Sequence, residues 1–262
     1  MKTCLLPGVT IYIFPVVMAE LFFEADWPAP PHIRAITTTR SGGLSQSPYD
    51  SFNLGDHVGD DPARVAANRH LLCEKANLPT EPLWLQQTHS TKVIDCREWQ
   101  PAIEADAIIC DAPRQICTVM TADCLPLLIT DKTGSRVAAI HAGWRGLQAG
   151  IIENTLQRFD RSANDILVWL GPAIGPKAFE VGPEVKAAFL AADASAEEAF
   201  IPHSDRFLAD IYLLARQRLA AQGITAVYGG AHCTYHEKQR FFSFRRDGVT
   251  GRMASLIWIA SE

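Results

Sequence analysis

The segment Thr121–Gly146, TADCLPLLITDKTGSRVAAIHAGWRG, decides how this chain is read. Two apolar runs, Leu125 to Ile129 and Val137 to Ile140, flank the polar stretch Asp131-Lys132-Thr133-Gly134-Ser135. Apolar runs of strand length joined by a polar, glycine-containing stretch predict a β-hairpin, because Gly and Asp readily adopt turn conformations. Cys124 sits just before the first strand and His141 just after the second. In an antiparallel pair those positions share one end of the sheet, so the hairpin carries a thiol and an imidazole to the same place.

Upstream, Ile33 to Thr39 reads as a strand that runs into the loop Arg40-Ser41-Gly42-Gly43. Asp60-Asp61-Pro62 starts a helix, with an acidic cap and Pro in the first turn, and Val65, Leu72 and Ala76 mark its inner face. Leu83 to Gln87 and Lys92 to Asp95 predict strands on either side of Thr88-His89-Ser90, and Ala105 to Cys110 and Gln115 to Thr121 predict two more. Downstream, Gly143 opens one helix carrying Leu147, Ile151, Leu156 and Phe159. Ile166 to Leu170 is a buried strand followed by the loop GPAIGP, and Pro183 to Ala191 is a helix. A further helix covers Arg206 to Gln222, capped by Ser204 or Asp205 and stopped by Gly223. Ile224 to Tyr228, Arg240 to Phe244 and Ala254 to Ile259 close the chain as strands. Strands outnumber helices and arrive in runs, with no internal repeat or long linker, so the expected fold is α+β with mixed sheets in a single domain over residues 1–262.

A net charge of −5 across 262 residues argues against bulk attraction to nucleic acid or anionic lipid. The seven cysteines are odd in number, show no framework spacing and contain no CxxC. That pattern implies a reducing, cytoplasmic setting with most cysteines as small buried apolar groups, and no zinc finger. Lys2 and the apolar run ending at Ala19 have the outline of a signal peptide, but Pro7 and Pro15 interrupt it and Thr10 to Phe14 alternates like a strand. No run is long enough and free enough of charge to span a bilayer.

His89, in its polar loop between strands, is the natural third partner for Cys124 and His141. A thiolate and two neutral imidazoles suit Zn²⁺ and leave a fourth position for water or substrate. The spacing of the three fits no compact metal motif, and a buried Cys beside a strand is often packing alone. A metal-free dyad, with Cys124 as nucleophile and His141 as base, uses the same residues. His232 and His236 are four apart, but their neighbours Tyr235 and Glu237 suggest an exposed segment without metal, and His57 is ambiguous.

His89 in QQTHS, Cys124 in TADCLPLL, His141 in HAGWRGL, the GPAIGP loop and FFSFRRDGVTGR together resemble the laccase-domain purine nucleoside phosphorylase family, also called peptidoglycan editing factor and formerly multicopper polyphenol oxidase. The resemblance runs from about Thr37 to Ile259, leaves residues 1–18 as an N-terminal extension and makes Met18 an alternative start. It implies two mixed sheets between helices, likened to a cytotoxic-factor-like Cys–His hydrolase, and a zinc site on His89, Cys124 and His141. It also implies phosphate-dependent cleavage of adenosine, inosine, guanosine and methylthioadenosine, adenosine deamination, and a link to removal of wrongly incorporated serine from murein precursors. Eight histidines without a His-x-His cannot build a multicopper centre, although adventitious copper would suit a Cys/His₂ site.

For deamination, activated water would attack purine C6 with Asp123 as the nearest carboxylate in sequence to shuttle protons. For phosphorolysis, Arg40 in its Ser-Gly-Gly loop and Arg145 at a helix start suit phosphate, Arg145 being preferred, and Arg245 or Arg246 could add to them. The competing readings are a Cys124–His141 amidase acting on a murein precursor and a non-catalytic nucleoside- or phosphate-binding module.

Overall fold

Leu125–Asp131 pairs antiparallel with Val137–Ala142, placing Pro126 opposite His141 and Leu128 opposite Ala139. The hairpin therefore forms as expected in this computed structural model, which describes residues 20–260. It lies in a six-stranded sheet ordered Val227–Gly229, Ile166–Leu170, Leu125–Asp131, Val137–Ala142, Ala107–Cys110 and Val93–Asp95. The outermost pair at each edge is parallel and the inner pairs are antiparallel, so this sheet is mixed. A four-stranded antiparallel sheet, ordered Phe22–Glu24, Ile33–Thr38, Met253–Ile259 and Cys117–Thr121, packs against it. A small third sheet joins Phe200–His203, Arg206–Ala209 and Glu180–Val181.

Successive side chains on a strand point to opposite faces. Leu127, Ile129 and Ile140 thus meet the helices Ile151–Phe159, Pro183–Ala192 and Ile211–Ala221. Leu128, Val137 and Ala139 instead enter the interface between sheets, with Ala35, Val119 and Ile257. On the far side of the second sheet, Ile36, Met120 and Leu256 pack with Phe52, Leu54 and Leu72, the last from helix Pro62–Lys75. The α+β reading holds, with two sheets between helices. Burial on both faces is why the hairpin strands read as unbroken apolar runs rather than alternating ones.

Several local expectations fail, each for a physical reason. The helix predicted from Gly143 to Phe159 is two, Trp144–Ala149 and Ile151–Phe159, because Gly150 takes φ 101°, a left-handed conformation that glycine tolerates best. Its apolar period runs through both pieces and hides the break. Arg206–Ala209 is a strand, and the helix expected from Arg206 begins at Ile211, where the Asp210 carboxylate accepts the N–H groups of Tyr212 and Leu213. Ser204, one expected cap, instead turns the hairpin at φ 55°. Arg240 to Phe244 is no strand: Phe241 and Phe242 are buried from a loop, and Phe244–Asp247 is a short helix capped by Ser243. Leu83 to Gln87 makes only isolated bridges, to Cys117 and Glu104. Cys96 and Cys110 form a disulfide, against the expectation of unpaired cysteines, because the parallel pair Val93–Asp95 and Ala107–Cys110 ends with them side by side, Cα–Cα 5.2 Å. The predicted strand over residues 10–14 and the signal-like run lie outside the described residues. Among those described, no helix is long and apolar enough to cross a membrane.

Leu128 is fully buried between the sheets. Leu128→Ala should lower the unfolding free energy in urea titration by roughly 2–5 kcal/mol. A loss below about 1 kcal/mol would mean that the two sheets are not closely packed there.

Candidate metal centre

Asp106, fully buried just before the strand Ala107–Cys110, organises the end of the central sheet. Its carboxylate accepts from His89 N (3.0 Å), Ser90 N (2.6 Å), Ser90 Oγ (2.7 Å) and, at 3.3 Å, Thr88 N. The same group receives His141 Nδ1–H at 2.8 Å. One carboxylate therefore folds the loop that presents His89, whose φ is 59°, and orients the His141 ring with Nε2 toward Cys124. Cys124 arrives from the other side of the hairpin, directly after Asp123, which turns the chain at φ 89°.

Cys124 Sγ stands 3.6 Å from His89 Nε2, and the two imidazole rings lie 4.8 Å apart between centroids. One donor atom from each of His89, Cys124 and His141 falls within 4.8 Å of the others. Tetrahedral zinc with ordinary bond lengths sets S and N about 3.5 Å apart, so the cluster fits such an ion. A carboxylate behind a ligating histidine is the usual outer support for that role. Gly143 closes the site: a Cβ there would lie 2.6 Å from His89 Cδ2 and 3.1 Å from Cys124 Sγ.

Burial pushes the Cys124 thiol up, but His141 and His89 outweigh it and bring its pKa to about 6. Burial lowers that of His141, yet the Cys124 thiolate and Asp106 raise it to about 9. Without metal the pair is thus a thiolate and an imidazolium at neutral pH. Cys117, buried without such partners, is pushed upward by burial.

The cluster opens into a cavity of about 470 Å³ with apolar walls that include Trp144, Ile174, Phe179, Ile211 and Phe244. Arg145, Arg245 and Arg252 also line it. Arg145 packs over the Trp144 ring at 4.5 Å and makes no hydrogen bond or ion pair among the described residues. Arg245 donates to the Glu180 carbonyl at 2.7 Å. The other expected arginines are elsewhere. Arg40 lines a separate cleft and donates to the carbonyls of Asp50 and Lys238, and Arg246 clamps the carbonyls of Thr234, Tyr235 and Phe241. Both also pair with a carboxylate, Arg40 with Asp50 and Arg246 with Asp247.

Asp123 lines the cavity, but its carboxylate accepts from Thr234 Oγ1 (2.6 Å), Ser243 Oγ (3.0 Å) and Arg245 N (2.6 Å). These bonds tie the C-terminal segment to the hairpin, which occupies the group expected to carry protons. His57 lines the cavity, with a pKa lowered by burial and by Arg252. His232 faces Glu237 and His236 faces Cys233, and they form no metal cluster. Sequence reasoning missed Asp106, although an acid at the mouth of an apolar strand was a usable signal. Arg252 was missed too, although it closes the FFSFRRDGVTGR stretch that carries the resemblance.

Fold and site together define an enzyme of α+β architecture with, among the described residues, one Cys/His₂ cluster able to hold a metal, opening on an arginine-lined cavity. The chain belongs to the multi-copper polyphenol oxidoreductase laccase family, whose model matches residues 34–260. A Pseudomonas aeruginosa relative named purine nucleoside phosphorylase is 54% identical over 236 residues, spanning 89% of this chain and 96% of that one. The Escherichia coli purine nucleoside phosphorylase YfiH is 53% identical over 235 residues, spanning 89% and 97%. The crystal structure of a Neisseria meningitidis protein of the DUF152 family superposes with TM-score 0.89 at 48% identity, covering 92% of this chain and 100% of that one. Despite the family's name, one cluster of a thiolate and two imidazoles among the described residues offers too few donors for a multicopper oxidase.

Asp106→Asn should weaken zinc binding by roughly 10–100-fold in chelator competition, although no ligand is changed. In metal-free protein, alkylation of Cys124 should rise with pH through a midpoint of about 6, because the thiolate reacts. A midpoint near the ordinary thiol value of about 8.5 would disprove the thiolate–imidazolium pair.

Proposed function

We propose that this chain is a zinc-dependent purine nucleoside phosphorylase that cleaves adenosine, inosine, guanosine or methylthioadenosine with phosphate, and that it also deaminates adenosine. The observation that carries this reading is the sharing of one cavity by the His89, Cys124 and His141 cluster, apolar and aromatic walls, and three arginines without carboxylate partners among the described residues. The names of the relatives point the same way. The family name and the donor set also admit copper, but the purine chemistry calls for no redox step. A cytoplasmic location suits these metabolites.

His89, Cys124 and His141 would hold the zinc, which when bound supplies a Lewis acid and acidifies water. The aromatic and aliphatic wall, with Trp144, Phe179 and Phe244, receives the flat purine by stacking and excludes water from it. Arginine binds the phosphate that attacks C1′ of the sugar. A C1′–O bond forms as the C1′–N9 bond breaks; the base leaves with the electron pair and gains a proton, giving free purine and a sugar 1-phosphate. In deamination water adds at C6 and ammonia departs. With Asp123 bonded to three donors, proton transfer there falls to His57, the cavity's neutral imidazole.

A second reading rests on the line Cys124, His141, Asp106, which has the order of a nucleophile, its base and an orienting carboxylate. It makes the chain an amidase in which Cys124 attacks the amide holding a misplaced serine in a murein precursor.

Adenosine supplied with phosphate should yield adenine and ribose 1-phosphate, and without phosphate only inosine. His89→Ala should reduce both by roughly 100-fold or more through loss of the metal. Normal turnover of adenosine by that variant refutes the zinc reading. Amide cleavage retained by zinc-free enzyme and lost in Cys124→Ala favours the amidase.

A further inference from the structure

We infer that Arg252 is the principal anion-binding residue of the cavity, receiving the phosphate group that reacts beside the metal centre. The inference deepens the phosphorolysis reading and rests on it.

Three arginines reach the cavity, but only one is built into its wall. Arg145 and Arg245 are exposed; Arg145 lies over Trp144 on a six-residue helix, and Arg245 spends a terminal nitrogen on the Glu180 carbonyl. Arg252 is half-buried and held from several sides. Its backbone N–H donates to Asn53 Oδ1 at 2.9 Å, and its carbonyl accepts from Leu54 N at 3.2 Å. One terminal nitrogen donates to the carbonyls of Thr250 (3.0 Å) and Gly251 (3.1 Å), which aims the side chain. Gly55 makes room for the stem, since a Cβ there would come within 2.8 Å of Arg252 Cγ. Asn53, fully buried, is fixed in turn by Asp60 Oδ2 at 2.9 Å.

So placed, the guanidinium keeps Nε and its second terminal nitrogen without a hydrogen-bond partner among the described residues. A half-buried guanidinium fixed in place with one edge unpaired presents that edge to an anion. Two groups of opposite charge are near, Asp123 and the Cys124 thiolate, and both offset the fall in the Arg252 pKa that burial causes. Neither can serve as its partner in the loaded enzyme. Asp123 is filled by Thr234, Ser243 and Arg245, and Cys124 belongs to the metal. The free edge of a guanidinium matches two oxygens of a tetrahedral oxyanion in a way that a point charge does not. Half-buried and preorganised, it attracts an anion more strongly than the exposed Arg145 or Arg245.

The test is calorimetric titration of zinc-loaded protein with inorganic phosphate. Arg252→Gln should weaken phosphate binding by roughly 30-fold or more, the loss expected for a charged hydrogen-bond donor. Arg252→Lys should recover part of it, while adenosine affinity and zinc content stay at wild-type values in both. A readout without substitution uses phenylglyoxal, which should modify Arg252 in the wild-type protein and be blocked by phosphate, as read by peptide mass spectrometry. The inference is overturned if phosphate leaves Arg252 unprotected, or if Arg252→Gln binds phosphate like wild type while Arg145→Gln or Arg245→Gln does not. Wild-type protein that binds phosphate through Arg252, yet forms no ribose 1-phosphate from adenosine, upholds the inference and refutes phosphorolysis.

Discussion

The Asp106 carboxylate is the interaction on which the site depends. It has no exposure to solvent and faces five donors, four from the loop Thr88 to Ser90 and one from the His141 ring. A buried carboxylate without such partners would cost several kcal/mol, so the loop and the ring are held to it as firmly as it is held to them. The two histidines of the cluster thereby share one anchor, although they come from different segments. Cys124 needs no such device, because it directly precedes the strand whose Pro126 pairs with His141, which brings it to the same end of the sheet.

That register is a consequence of the layered core. The central sheet is apolar on both faces, with helices on one side and the second sheet on the other. A slip of one residue would exchange the two faces of every strand and mismatch both layers at once. The sheet's end is therefore a rigid place from which to present reactive groups, and the polar residues gather there because the middle has no room for them. Asp123 completes the frame. By accepting from Thr234, Ser243 and Arg245 N, it draws the C-terminal segment over the cluster and forms the cavity wall that carries Arg245 and Arg252.

The hairpin, the neighbouring strands and the convergence of Cys124 with His141 were legible because strand pairing is a local matter, governed by runs of apolar residues and the turn between them. Local rules misled where two patterns coincide. Gly150 breaks a helix whose apolar spacing continues without interruption, and Phe241-Phe242 imitates a strand because aromatic residues are buried equally well from a loop. Ser204 and Asp205 looked like a helix cap, yet four more residues pair as a strand before the better cap, Asp210, is reached.

By itself the sequence determined an α+β chain, a hairpin with a thiol and an imidazole at one end, and His89 as their companion from its polar loop, a choice the family likeness repeats. It could not say which charges reach the cavity. Arg40 and Arg246 carry the same guanidinium as Arg145, Arg245 and Arg252, and only the folded chain spends the first two on backbone carbonyls outside the cavity. Asp106 and Asp123 are likewise equivalent on paper; one orients the His141 ring and the other ties down a loop. His141 lies 35 positions from Asp106, Arg245 122 from Asp123 and Lys238 198 from Arg40. Pairing at that range is settled by how the layers pack, not by any neighbour in sequence.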